Sequence, residues 1–326
     1  MMARHPIGRR ALLAASAALA APRLARAQTW PERPVRMLMG FPPGGPTDAV
    51  GRLIAAGLQA AIGQSVVFEN RPGANSVLAA EAVARAAPDG YTLLFASNAL
   101  VMNASVYARL PYDPATSFAP IGIVATSPNV FWCGTSQPWQ SLEEVVAAAK
   151  ARPGQLGYAS TGNGGNGHFG GETLRQALGI DVTHVPYRGT APALQDVIAG
   201  RVPLMLQTLV GAIGPYRADQ LRPLVVFGPR RAPELPEVPT LAELGHDVAD
   251  SGVWFGVLAP AGTGAPIIER VSGALSALLQ RQDTRDRLAT QASVPAFAGP
   301  EAFAARIRSE VGAWAEVARR AGMRPE

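Results

Sequence analysis

Met37-Leu-Met-Gly-Phe-Pro-Pro-Gly-Gly-Pro-Thr-Asp48, continued by Ala49-Val-Gly-Arg-Leu-Ile-Ala-Ala-Gly-Leu-Gln-Ala-Ala-Ile-Gly63, sets the organisation of this chain. A short apolar run stops at a Pro/Gly turn, and a helical pattern begins at once. Val50, Leu53, Ile54, Leu58 and Ile62 recur at three- and four-residue spacing, which places them on one helix face. Thr47 or Asp48 is the expected N-cap, because a short side-chain oxygen there accepts from the first unpaired N–H groups. The unit reads strand, loop, helix, with the N–H groups of a glycine turn gathered at a helix N-terminus. Converging donors and the positive end of the helix dipole suit such a place to an anion. A plain βα turn without a ligand fits this segment equally well.

Upstream, Arg4, Arg9 and Arg10 precede an apolar run over residues 11–21, and Ala25-Arg-Ala27 is a small-x-small cleavage motif before Gln28. Residues 1–27 therefore read as a secretory signal peptide, its apolar part too short to span a bilayer. The Arg9-Arg10 pair leaves both general and twin-arginine export open. The 326-residue chain carries a net charge of +5, but this leader holds five arginines and no acid. Its removal leaves 24 basic against 24 acidic residues with no basic run, which speaks against a nucleic-acid surface. Cys133 is the sole cysteine, so no intramolecular disulfide can form. It lies in Asn129-Val-Phe-Trp-Cys-Gly134, which reads as a buried strand where the thiol is a small hydrophobe. No later stretch is long and apolar enough for a membrane helix, so the chain without its leader is expected to be soluble outside the cytoplasm.

Downstream, strands alternate with helices of about ten residues, which argues for an α/β chain with a largely parallel sheet. Strands are expected over residues 65–69, 91–97 and 120–125, with helices over 77–87 and 99–108. A second series starts at Asn129: strands over 129–134, 156–160, 182–186, 202–208 and 223–227, with helices between them. Ser141 and Glu144 form a capping box at the head of one of these helices. After a Pro-rich connection at 229–239 comes a buried strand over 253–258. The remainder is expected to be helical, over 266–279, 283–291 and 300–321.

Gly162-Asn-Gly-Gly-Asn-Gly167 matches G-x-G-x-x-G between a strand and a helix. A dinucleotide site also wants an acid at the end of the next strand. Asp181 precedes that strand, which ends in Pro186-Tyr187, so no cofactor is implied. Tyr158-Ala-Ser-Thr-Gly162 lacks the first glycine of a nucleophile elbow, and no spacing joins Ser160 and His168 to an acid. A serine hydrolase using Ser160 with His168 is thus an alternative with little support. No His/Cys pattern points to a metal. The two glycine-rich βα loops, residues 41–48 and 160–167, remain. Ser97-Asn98 and Gly189-Thr190 are further strand-to-helix junctions with polar donors. Ligands of open α/β sheets sit beyond the carboxyl ends of the strands, and two such lobes could close on a small carboxylate.

Many ordered motifs carry a resemblance. They include Trp30-Pro-Glu-Arg-Pro34, Phe41-Pro-Pro-Gly-Gly-Pro-Thr-Asp48, Glu69-Asn-Arg-Pro-Gly73 and Ala87-Pro-Asp-Gly-Tyr91. Further ones are Leu110-Pro-Tyr-Asp-Pro114, Phe118-Ala-Pro-Ile121, His184-Val-Pro-Tyr187, Trp254-Phe-Gly256 and Leu258-Ala-Pro-Ala-Gly-Thr263. Over essentially all of the chain after the leader, the sequence resembles the Bug family, the periplasmic solute receptors of tripartite tricarboxylate transporters. The resemblance implies a type II periplasmic-binding-protein fold: an α/β chain of two lobes with a ligand cleft between them. Lobe 1 would take residues 28–128 and 252–326, and lobe 2 residues 129–251. It further implies capture of a small carboxylate, delivery to integral-membrane transporter subunits, a monomeric receptor and no reaction catalysed. The implied ligand set is Phe41, Gly44, Gly45, Thr47, Asp48, Ser97 and Asn98 from the first lobe. From the second come Ser160, Thr161, Asn163, His168, Thr190, Ala191, Gln207 and Thr208.

Three positions depart from the family pattern. Gly40 stands where the family usually has Pro, and Asn75-Ser76 replaces a glycine pair. Leu204-Met-Leu-Gln-Thr208 ends in neutral Gln207 and Thr208 where many relatives have an acidic pair, which turns the expectation from amino acids towards plain or aromatic carboxylates. A ligand-sensing receptor for a signalling partner is the other alternative.

Overall fold

In the computed structural model, which describes residues 30–246 and 252–323, the apolar stripe of the first helix faces the core. Val50, Leu53, Ile54, Leu58 and Ile62 are each at most 5% exposed. Strand β1 (Val35–Met39) stops before the Pro/Gly turn and helix α1 (Pro46–Ile62) starts inside it. There follow β2 (Val66–Asn70), α2 (Val77–Ala84), β3 (Thr92–Ser97), the short α3 (Ala99–Met102) and β4 (Phe118–Ser127). The second series is β5 (Asn129–Gly134), α4 (Leu142–Ala151), β6 (Gly157–Ser160), α5 (Asn166–Leu178) and β7 (Thr183–Pro186). It goes on through α6 (Thr190–Ile198), β8 (Leu204–Thr208), α7 (Leu209–Arg217) and β9 (Leu221–Val226). The chain then adds β10 (Val253–Pro260), α8 (Ala265–Gln280), α9 (Gln282–Thr290), β11 (Val294–Ala298) and α10 (Pro300–Ala321).

Two mixed sheets result, ordered β11-β4-β10-β3-β1-β2 and β7-β6-β8-β5-β9. The expected parallel pairing holds for β3-β1-β2 and for β7-β6-β8. It fails at β10, β4 and β5, which are antiparallel to their neighbours. These three strands adjoin the crossings between sheets: only Pro128 separates β4 from β5, and β10 takes up the returning chain after Gly252. Both faces of the first sheet are covered, as a buried βα sheet requires. Met37 and Met39 join the layer of α1 and α8, while Leu38 between them joins that of α2 and α10.

Local differences have local causes. The N-cap of α1 is Gly45, not Thr47 or Asp48, because Pro46 occupies the first helical turn and favours its first positions. The helix expected to Ala108 is α-helical only to Met102 and tightens into a 3₁₀ turn over Asn103–Ser105. Strand β11 was not foreseen. Among the described residues it is an edge strand pairing only with β4, and Pro295 interrupts its signal. Ser141 is the N-cap as read, its Oγ accepting from Glu144 N, but the reciprocal bond of a capping box is displaced: Glu144 Oε2 accepts from Gln140 N, one residue before the cap. Cys133 is buried in β5, and burial pushes its thiol pKa up. The leader expected over residues 1–27 lies outside the described residues.

Candidate ligand-binding site

Because β1, β2 and β3 run parallel, their carboxyl ends bring three segments side by side: residues 40–45, residues 71–76, and the Ser97-Asn98 junction. Gly44 has φ +80, a conformation that glycine adopts without strain. Gly45 is extended at φ −81, and a Cβ there would meet nothing closer than Pro42 O at 3.7 Å. Asp48, third residue of α1, holds this turn. Its Oδ2 accepts from Gly44 N at 3.0 Å and Arg52 Nε at 2.9 Å, and its Oδ1 accepts from Asn70 Nδ2 at 2.8 Å. The same Asn70 amide donates to Phe41 O. Burial pushes the Asp48 carboxyl up, but the hydrogen bonds from Arg52, Gly44 and Asn70 outweigh it and hold the pKa below the usual range.

Asp48 is therefore the tie that shapes the loop, which corrects its place among the ligand contacts: its oxygens are already engaged, and its charge would repel a carboxylate. Asp48→Ala is expected to cost about 1–3 kcal/mol of folding free energy, since it strands Asn70 and the Gly44 amide. Urea denaturation measures this, and a cost of only a few tenths would mean the tie is dispensable. Ser97 and Asn98 are both buried, and Asn98 Nδ2 donates across to Gly252 O at 3.2 Å. Asn98 thereby braces the returning crossing, while Ser97 Oγ accepts locally from Ala99 N at 3.4 Å.

On the second sheet, the carboxyl ends of β6, β7 and β8 gather residues 161–165, residues 187–189 and the Gln207-Thr208 corner. Ser160 is fully buried, with Oγ 2.6 Å from His184 Nε2 and accepting from Gly162 N at 3.2 Å. His168 Nδ1 accepts from Gly164 N at 3.1 Å, and its ring stacks on His184 with centroids 3.9 Å apart. Two consequences correct the sequence reading. Ser160 is paired with His184, not His168, and its buried hydroxyl is engaged in the loop, not presented as a nucleophile. Three amides of the glycine loop, those of Gly162, Gly164 and Gly165, are likewise engaged within it, so Ser160 and His168 build the loop and leave Thr161 and Asn163 at its surface. Gln207 Nε2 donates to Thr190 Oγ1 at 3.2 Å, and its Oε1 accepts from Thr208 N and Oγ1. This neutral corner has no charge to offer an ammonium group.

Burial, and after it the neighbouring His168, pushes His184 down to about 3; burial also lowers His168. A folded-state pKa below the unfolded value of about 6.5 means that the unfolded chain takes up protons first. His184 thus contributes its full stabilisation above pH 6.5 and loses it as pH falls from there towards 3. Between pH 7 and pH 5 the expected loss is on the order of 2 kcal/mol. Thermal unfolding of the wild type and of His184→Gln at both pH values checks this: the variant should lose less. Equal losses would contradict it.

The two sets of loops meet. Asn75 Nδ2, after β2, donates to Gly164 O at 3.2 Å in the glycine loop before α5. Beside it, Gly40 packs so closely on Ser76 that a Cβ at position 40 would lie 1.9 Å from Ser76 Oγ. Ser76 therefore fills the space that any side chain at position 40 would need. Arg52, Asn70, Asn75, Asn103 and His184 were missed by the sequence reading. Only Asn75 left a usable signal, a residue tolerant of left-handed backbone in a loop between strand and helix.

Residues 50–322 match the sequence pattern of the tripartite tricarboxylate transporter family receptor, TctC. The chain belongs to this family. BugT of Bordetella pertussis is 34% identical over 310 residues, covering 94% of each chain. Among solved structures, Rpa4515 of R. palustris with adipate superimposes with a TM-score of 0.85 at 34% identity, over 91% of this chain and 100% of that one. MatC of Rhodopseudomonas palustris, solved with bound malate, gives 0.79 at 32% identity, over 88% and 99%. The two-sheet α/β fold is shared with these structures. No described helix of this TctC-family chain is long and apolar enough to cross a membrane.

Proposed function

We propose that the protein is a periplasmic solute receptor, exported by its 1–27 leader. It captures a small carboxylate and delivers it to integral-membrane subunits of a tripartite transporter, without catalysing a reaction. The observation that carries this reading is the meeting of two donor-bearing loop sets, each at the carboxyl ends of parallel strands, at the Asn75–Gly164 contact. Lobe 1 comprises residues 28–128 and 252–326, and lobe 2 residues 129–251. In this reading the 41–47 turn holds one carboxylate through the main-chain donors that the Asp48 tie leaves open, Gly44 and Gly45 giving the closest approach, with Phe41 and Thr47 at its sides. Thr161, Asn163, Thr190 and Ala191 serve the opposite end. The adipate- and malate-bound relatives support a dicarboxylate, and the neutral Gln207-Thr208 corner favours a ligand without an ammonium group.

The test is thermal stability of the leader-free protein against C4–C6 dicarboxylates, citrate, glutamate and aromatic acids. An acid at a hundred times its dissociation constant adds about 2.7 kcal/mol. Stabilisation by one non-amino acid class is the expected result. Stabilisation by glutamate alone would overturn the ligand class.

A further inference from the structure

We propose that Asn75 is a positioning residue, a clamp that holds the glycine loop of the second sheet against the first through the Gly164 carbonyl. The inference rests on the receptor reading, since the clamp would act by keeping the two loop sets together around the ligand.

Ala74, Asn75 and Ser76 have φ values of +46, +48 and +75, three successive left-handed residues that all carry a Cβ. Such a conformation is unfavourable and persists only where the surroundings fix it. Here they do. Asn103, fully buried, accepts from Asn75 Nδ2 through its Oδ1 at 2.9 Å and donates from its own Nδ2 to Asn75 O at 3.0 Å. Asn103 Nδ2 also donates to the Tyr112 hydroxyl, which donates to Leu100 O. The Asn75 amide is thereby aimed, and its nitrogen reaches Gly164 O.

Gly164 is built to receive it. Its φ is +64, its N–H is held by His168 Nδ1, and a Cβ on it would lie 2.6 Å from Val106 Cγ2 of the first-sheet side. One residue of the glycine loop is thus gripped by its amide from within, by its carbonyl from Asn75, and on its open face by Val106. Gly40 and Ser76 pack together beside the clamp, so it abuts the 41–48 turn. Asn75 need touch no ligand to govern how long one stays.

Asn75→Asp and Asn75→Gly separate this role from a structural one. The carboxylate would face two acceptor oxygens, Gly164 O and Asn103 Oδ1, whereas glycine removes the amide and relieves the left-handed strain. Small-angle scattering of the ligand-free protein and the dissociation rate of the most stabilising acid of the panel are the readouts. Asn75→Asp is expected to enlarge the radius of gyration and speed dissociation at least tenfold. Asn75→Gly is expected to speed dissociation several-fold with an unchanged or higher melting temperature. Wild-type radius and dissociation rate in both variants would overturn the clamp, as would a fall in the Asn75→Gly melting temperature with dissociation unchanged. If no acid binds the wild type, the receptor reading fails, and the ligand-free radius of Asn75→Asp alone decides for or against the clamp.

Discussion

Phe169→Ala is expected to lower the unfolding free energy by about 3–5 kcal/mol, the range for deleting a buried aromatic side chain. Phe169 belongs to α5, yet its side chain is fully buried in the layer formed by α2, α10 and the first sheet. Its ring meets Trp314 edge-on, with centroids 5.4 Å apart. Truncation would open a cavity at the junction of two separately built layers, where neither can collapse without moving the other. Phe169→Leu, which keeps most of the volume, should cost less than half as much. Chemical denaturation of both variants checks the pair. A loss below about 1 kcal/mol for alanine would mean that α5 is held against the first sheet by other contacts.

Gly45→Val should abolish ligand binding while sparing the fold, the second large effect. The extended backbone at Gly45 accepts any residue, and a Cβ there meets only Pro42 O at 3.7 Å, an ordinary contact, so the fold is expected to tolerate valine. It would fill the approach to the main-chain donors of the turn. We expect affinity to fall by at least a hundredfold, roughly 2.7 kcal/mol, with the melting temperature of the ligand-free protein unchanged. Gly44→Val is the informative contrast: at φ +80 it should cost about 1–2 kcal/mol of stability as well. Wild-type affinity in Gly45→Val would remove the turn from the site.

Why the turn could be read from the sequence, and its supports could not, follows from how each is encoded. The α1 stripe, the N-cap at Ser141 and the strand around Cys133 are local patterns, and all three stand where the spacing put them. The role of Asp48 depends on Asn70, 22 residues away on the next strand. Pairing of Ser160 with His184 depends on the register of β6 against β7, in which Ser160 lies opposite Pro186. His168, nearer in sequence, lies on the following helix and turns its Nδ1 to Gly164 instead. A motif reading sees residue types at fixed spacing. It does not see which donors of a glycine loop are already satisfied, so residues 160–167 looked richer in available amides than they are. Antiparallel pairing at β4, β5 and β10 had no local signature either, being a product of the crossings.

Calorimetric titration of the refolded protein with adipate, malate and citrate, wild type beside Gly45→Val, tests the central claim most directly. Refolding removes any acid carried through purification. The expected result is one acid binding the wild type with one-to-one stoichiometry and no heat of binding for the variant. Equal binding by both proteins, or no binding of any of the three by the wild type, would contradict the placement of a dicarboxylate between these loops.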